Sequence, residues 1–200
     1  MERHPTEQKI LDEAIRVIEA RGENAIRVQE IESAVDVTAP SIYHFFGNRE
    51  GLIAEAQAER LHRSFEEFHS TMVSALSTMT TREEVRAGLH ALLTAVYAPG
   101  RVAARERRLY ALGSAEGRPE LAVRLGEVSR DYLRRAAALM VPLQEKGLIR
   151  ADLDLEAFQF WLSGQILGRV FIELGLEPAP TPAWDAISEE AIAYLLLGAE

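Results

Sequence analysis

Between Thr38 and Arg49 the chain reads TAPSIYHFFGNR, a short stretch dense in hydrogen-bonding side chains. The hydroxyls of Thr38 and Ser41, the Tyr43 phenol, the His44 imidazole, the Asn48 amide and the Arg49 guanidinium are groups that meet phosphate oxygens and base edges. They are suited to binding rather than to making or breaking bonds. No G-x-S-x-G elbow, G-x-G-x-x-G turn, phosphate loop or H-E-x-x-H pair occurs in the sequence, so no enzyme is expected. The sequence contains no cysteine, which excludes disulfides, thiolate zinc sites and thiol redox sensing. His62, Glu66 and His69 share one side of a long helix, but a metal site would need further ligands and hydrogen bonds to orient them, so the three read as solvated surface and no metal or cofactor is expected.

These groups need rigid elements behind them. Apolar residues at 10, 11, 14, 15, 17 and 18 predict a helix over 7–21, with Thr6 as N-cap and Gly22 as stop. Val28, Ile31, Ala34 and Val35 give a second, short helix. After Asp36-Val37-Thr38 a third runs from Ala39 to Phe46, with Thr38 as cap and Pro40 tolerated in the first turn, where amides are free. Asn48 can cap a long helix from Arg49 to about residue 78. Three short helices, the last two joined by a tight turn, form the helix-turn-helix pattern, whose second helix can enter the major groove. In that helix Ile42, Phe45 and Phe46 face inward, while Thr38, Ala39, Ser41, Tyr43 and His44 face outward. Arg27, Val28 and Gln29 at the start of the preceding helix, with Pro40, Asn48 and Arg49, complete the expected contact set for double-stranded DNA.

Charge opposes this reading. The net charge is -9, and residues 1–50 hold six Lys or Arg against ten Asp or Glu, a local net of -4. Phosphate neutralisation needs cations, so the surface that meets DNA must be local and helped by the partial positive charge of helix starts.

The remaining chain predicts helices near 82–97, 102–112, 119–146, 154–174 and 183–197, with no strand and no repeat, and EPAPTPA (177–183) as a stiff connector. The expected fold is all-α: a helix-turn-helix domain over 1–50 and a helical bundle over 51–200. The 154–174 helix is apolar on two faces. Gly164, Gly168 and Gly175 lie with Phe160, Leu167 and Phe171, opposite Leu162, Ile166 and Val170. A helix apolar on two faces is buried on two faces, one against its own subunit and one against a partner. Trp184, Ile187, Ala191 and Leu195 give the last helix a second stripe. A homodimer through Gly164, Gly168, Phe171, Trp184, Ile187, Ala191 and Leu195 is therefore expected. Tyr97, Tyr110, Phe160 and Trp161, with Gln165 and Arg169, are candidate walls of a small-molecule pocket. Arg101, Arg105, Arg107 and Arg108, interleaved with Glu106, read as a solvated helix face. The charged start MERHPTEQK is no secretory signal and no apolar run reaches a membrane span, so a cytoplasmic protein is expected.

Residues 9–54 resemble the DNA-binding region of the tetracycline-repressor (TetR) family. The resemblance rests on Ile10, Leu11, Ala14 and Gly22, then Val28, Ile31, Val37 and Thr38. It continues through Ile42-Tyr43-His44-Phe45-Phe46 and Asn48-Arg49-Glu50 to Leu52-Ile53. It implies a homodimer whose last two helices form a four-helix interface, and a C-terminal pocket whose small-molecule effector releases operator DNA. Three positions depart from the family pattern: Asp36 replaces a turn glycine, Glu32 a small residue and Glu23 an aromatic. Asp tolerates left-handed geometry, so the turn survives. Glu32 and the acidic balance instead favour a competing reading, a helical adaptor that keeps the fold without binding DNA.

Overall fold

A computed structural model of the chain describes residues 3–173 and 182–199. Among these residues all regular structure is helical: α1 (Pro5–Arg21), α2 (Val28–Val35), α3 (Ala39–Phe46), α4 (Arg49–Ser77), α5 (Arg82–Tyr97), α6 (Val102–Gly113), α7 (Pro119–Glu145), α8 (Leu155–Gly168), α9 (Val170–Glu173) and α10 (Pro182–Leu197). Short 3-10 turns stand at Glu23–Ala25 and Pro99–Arg101. No helix of the described residues is long and apolar enough to cross a membrane. The chain divides into two compact units, residues 1–63 with 111–129 and residues 64–110 with 130–200.

In the first unit, α1 buries Ile10, Leu11, Ala14, Ile15, Val17 and Ile18, the stripe predicted from their spacing. Its start differs from expectation. Pro5 takes the first helical position, where its missing N–H costs nothing, and the cap is His4, whose Nδ1 accepts the Thr6 N–H at 3.2 Å. The α1 stripe packs with Ile26, with Ile31 of α2, with Ile42 and Phe46 of α3, and with Leu52, Ile53 and Ala56 of α4. Each large aliphatic side chain so buried contributes about 1.5–3 kcal/mol, which lets an eight-residue helix such as α3 hold its shape.

The second unit is built around α5 and α10. Val85, Leu89, Leu93 and Tyr97 of α5 meet Ile192, Ala193, Leu196 and Leu197 of α10, with Ala137, Met140 and Leu143 of α7 and Leu155 and Phe158 of α8 closing the same core. A capping box starts α5: the Glu84 N–H donates to Thr81 Oγ1 at 3.1 Å, and the Thr81 N–H donates back to the Glu84 carboxylate at 3.0 Å.

Two expectations are corrected in this unit. The 154–174 helix is not continuous: α8 ends at Gly168 and α9 begins at Val170. The break follows a glycine, the residue that loses most on being fixed in a helix. Residue 174 and Gly175 lie outside the described residues, as does most of the 177–183 connector. Arg105 is not part of a solvated face. It is buried and its guanidinium is paired with Glu173, a partner too far along the sequence for local spacing to reveal. Arg101 and Arg107 are exposed.

Candidate nucleic-acid interface

The helix-turn-helix is formed by α2, the turn Asp36–Thr38 and α3, with α1 packed on both helices. The turn depends on Asp36, which adopts the left-handed conformation (φ 54°, ψ 55°) and directs its N–H to the Glu32 carbonyl. Among non-glycine residues, Asp and Asn accept this geometry most readily.

The α3 helix starts differently from expectation. The Thr38 side chain forms no capping bond. The carboxylate of Glu32, one turn back on α2, accepts the Ala39 N–H instead. Glu32, a departure from the family pattern, thereby satisfies an amide at the start of α3 and places negative charge against the positive end of the helix. Thr38 stays exposed with its hydroxyl free of a capping role.

The two faces of α3 divide as their pattern predicts. Ile42 and Phe46 are buried and Phe45 is half-buried. Tyr43 and His44 are exposed, as are Thr38 and Pro40, while Ala39 and Ser41 are half-buried. Phe45 braces this face: its ring stacks on His4 (centroids 5.6 Å apart) and meets His44 edge-on at 5.3 Å. At the start of α2, Val28 is half-buried and Gln29 exposed, and no side chain caps the helix, so its first amides are open to an anion.

The two arginines expected to clamp DNA hold the domain together. Arg27 donates to the carbonyls of Asn24 and Ile26 at 2.7 and 3.0 Å. Half-buried Arg49 donates from Nε to the Ile26 carbonyl at 3.1 Å and from Nη2 to the Glu23 carbonyl at 3.3 Å. Both therefore brace the Glu23–Ala25 turn. Asn48 caps α4 as expected, its Oδ1 accepting the Gly51 N–H at 2.9 Å. Glu23 organises the same region. Its carboxylate accepts from Gln57 Nε2 at 2.8 Å and from Arg118 at 2.6 Å, and Arg118 also reaches Glu50 at 3.0 Å. Sequence reading marked Glu23 only as a departure.

The residues expected to hold a small molecule are not gathered. Tyr97 and Arg169 are buried and adjacent, with the guanidinium 4.4 Å from the ring centroid. Gln165 is half-buried, whereas Tyr110, Phe160 and Trp161 are exposed. Two grooves are found elsewhere, in the first unit. One of about 360 Å³ is lined by Pro119, Glu120, Val123, Arg124 and Glu127. The other, about 190 Å³, lies between Arg3, Ala58, Glu59, His62, Arg124 and Val128. The residues expected at a dimer interface divide: Leu195 packs against the core and the Trp184 ring nitrogen is buried, while the others face outward to different degrees. Phe171 is 73% and Ile187 67% exposed, with Gly164 and Ala191 exposed and Gly168, Trp184 and Leu195 half-buried. On the opposite side of α8, Leu162 and Ile166 pack against the core.

Comparison with known proteins agrees with this geometry. Residues 10–56 match the family described as bacterial regulatory proteins, tetR family. No curated protein sequence matches the chain. Solved structures share the fold along nearly its whole length. A TetR-family transcriptional regulator of Mesorhizobium loti has a TM-score of 0.69 at 16% identity, covering 96% of both chains. Salmonella enterica GusR has 0.67 at 21%, covering 98% of this chain and 97% of its own. A transcriptional regulator of Saccharomonospora viridis, solved in complex with choline, has 0.60 at 19%, covering 95% and 96%. Residues 10–56 thus match the tetR family of bacterial regulatory proteins, and the chain shares the fold of the solved regulators along its described length.

Proposed function

We infer that the protein is a cytoplasmic, homodimeric repressor that leaves its operator when a small molecule binds. Residues 1–50 read the DNA, and residues 51–200 bind the effector and form the dimer. The observation that carries the reading is the outer face of α3. Tyr43, His44 and Thr38 stand exposed on a helix whose other face is locked into the core by Ile42 and Phe46. Ser41 and the amides at the start of α2 extend this surface toward phosphate. Arg27 and Arg49 act on DNA indirectly, by fixing the turn from which α2 starts.

Dimerisation follows from the apolar outer stripe of α8, α9 and α10. A two-fold dimer places two copies of α3 at a fixed separation, which must match one turn of the duplex, roughly 34–36 Å. A ligand weakens operator binding only if it prefers a mis-spaced dimer, and DNA then weakens ligand binding by the same factor. The Saccharomonospora viridis regulator, with its bound choline, supports a small-molecule site in the present chain.

A mobility-shift assay with the DNA upstream of the protein's own gene tests the reading. The protein should shift this DNA at low salt, and Tyr43→Ala should abolish the shift without lowering thermal stability. Absence of a shift at low salt, or identical binding by Tyr43→Ala, would favour the non-binding adaptor.

A further inference from the structure

Two exposed imidazoles rest on one half-buried ring in the first unit. His44 of α3 meets the Phe45 ring edge-on with centroids 5.3 Å apart, and His4, the residue before α1, stacks on the same ring at 5.6 Å. His4 therefore stands beside the outer face of α3, although it lies far from that helix in sequence. The chain at this point is held in place. Arg3 donates to Glu7 of α1 at 3.0 Å and to Glu55 of α4 at 3.2 Å, and Pro5 opens α1 on the other side of His4.

The tautomer of His4 follows from its bonds. A backbone N–H can only donate, and the Thr6 N–H donates to His4 Nδ1 at 3.2 Å. Nδ1 is thus the acceptor nitrogen, and in the neutral ring the proton stands on Nε2. That Nε2–H makes no hydrogen bond among the described residues. The exposed ring carries a donor of fixed tautomer that the fold leaves unused. Such donors matter on this face, because the two arginines expected to meet phosphate, Arg27 and Arg49, are turned to backbone carbonyls. Half or more of protein–DNA hydrogen bonds go to phosphate and sugar, and neutral side chains supply many of them. In helix-turn-helix proteins the second helix of the pair lies in the groove while elements beside it cross the backbone.

We propose that His4 is a phosphate-contact residue, its Nε2–H donating to a backbone phosphate oxygen at the edge of the groove that α3 enters. The proposal rests on the reading that the outer face of α3 meets DNA. The start of α1 contributes the imidazole and not an amide, since the Thr6 N–H is already bonded to the same ring. Cap and contact support each other: the bond that caps α1 fixes the tautomer that donates to phosphate. The contact adds affinity and no sequence preference, because every nucleotide carries the same phosphate.

The test uses the full chain and two variants, His4→Ser and His4→Asn. Both keep an oxygen that can cap α1, and neither reaches as far as Nε2. Binding is measured by fluorescence anisotropy at low salt, on a duplex from upstream of the protein's own gene and on an unrelated duplex of equal length. Both variants should melt as the wild type does and bind about tenfold more weakly, by the same factor on both duplexes. The upstream duplex is then made with a neutral methylphosphonate replacing one phosphate at a time. At the contacted phosphate the replacement should weaken the wild type about tenfold and leave both variants unchanged. Affinity equal to wild type in both variants overturns the proposal, as does a scan with no position at which the variants lose less than the wild type. A loss confined to the upstream duplex also overturns it, and makes His4 a brace for α3 acting through Phe45. Failure of the wild type to bind either duplex overturns the DNA reading and the contact with it, whereas unchanged variants of a wild type that binds overturn the contact alone.

Discussion

The Glu32 carboxylate accepts the N–H of Ala39, so an acid on the first helix of the helix-turn-helix caps the second. The cap is useful to the fold and opposes binding, because it holds a negative charge at the end of α3 that must approach phosphate. The two roles separate by substitution. Glu32→Ala removes the acceptor and should cost about 0.5–2 kcal/mol of stability, as loss of a helix N-cap does. Glu32→Gln keeps an acceptor and removes the charge, so it should tighten operator binding severalfold at low salt, with the gain shrinking as salt rises. Thermal melts and fluorescence anisotropy at two salt concentrations measure both effects. Equal melting and equal affinity for all three proteins would remove Glu32 from any role in α3.

Gly51 in the first turn of α4 is required by close approach. A methyl group built on its Cα would run into the backbone carbonyl of Phe46, the last residue of α3. Backbone cannot swing aside as a flexible side chain can, so Gly51→Ala should destabilise the first unit by about 1–3 kcal/mol. Urea denaturation checks this, with Gly113→Ala as control, because a methyl group at Gly113 meets nothing. Matching midpoints for the two variants would show that the α3–α4 junction has room to shift.

Acid should loosen the second unit through Glu173. Burial works against its carboxylate, but hydrogen bonds from Arg105 and Arg169 overcome this and hold it below the usual range of 4.5. A group whose folded pKa is depressed contributes its full stability above its unfolded pKa. That contribution is lost as pH falls through the folded value. The melting temperature of the wild type should therefore begin to drop below about pH 4.5. Glu173→Gln leaves two buried guanidinium groups short of a partner, so it should melt lower at neutral pH, by about 3–5 kcal/mol of stability. The gap between the two proteins should narrow as the pH is lowered. A gap that stays constant from pH 7 to pH 3 would mean that the Glu173 charge does not stabilise the fold.

What could be read from the sequence was local. Gly22, Gly47-Asn48, Pro99-Gly100 and Pro119 end or start helices by their own backbone chemistry, so the observed bounds of α1 to α7 follow them closely. The faces of α3 and α8 followed from spacing, because 3.6 residues per turn decides which side chains share a side. What escaped depends on pairs far apart in sequence or on choices between equivalent partners. Thr38 and Glu32 could both cap α3, and only the tertiary arrangement selects Glu32. Arg105 reads as one of four surface arginines until Glu173 is placed beside it. Tyr110, Phe160 and Trp161 resemble pocket walls by type, but a helix with two apolar faces does not declare which is inside.

The outward glycines of α8 allow a clean test of the dimer. A Cβ at Gly164 or Gly168 meets nothing within 4 Å, so space is open directly beside both positions. On α9 and α10, Phe171, Ile187 and Tyr194 are more than half exposed, apolar area that one subunit leaves in water at about 25 cal/mol per Å². Glycines four apart let a second helix approach closely, and a long charged side chain there would hold it away. Gly168→Arg should therefore fold normally by circular dichroism, sediment as a monomer where the wild type is a dimer, and bind a single half-site far more weakly than the dimer binds its operator. The substitution tests the interface rather than the fold, because a Cβ at this position meets nothing within 4 Å. A fully dimeric Gly168→Arg protein with wild-type operator affinity would place the subunit contact on another surface, and the apolar stripe of α8 and α10 would then need a different occupant.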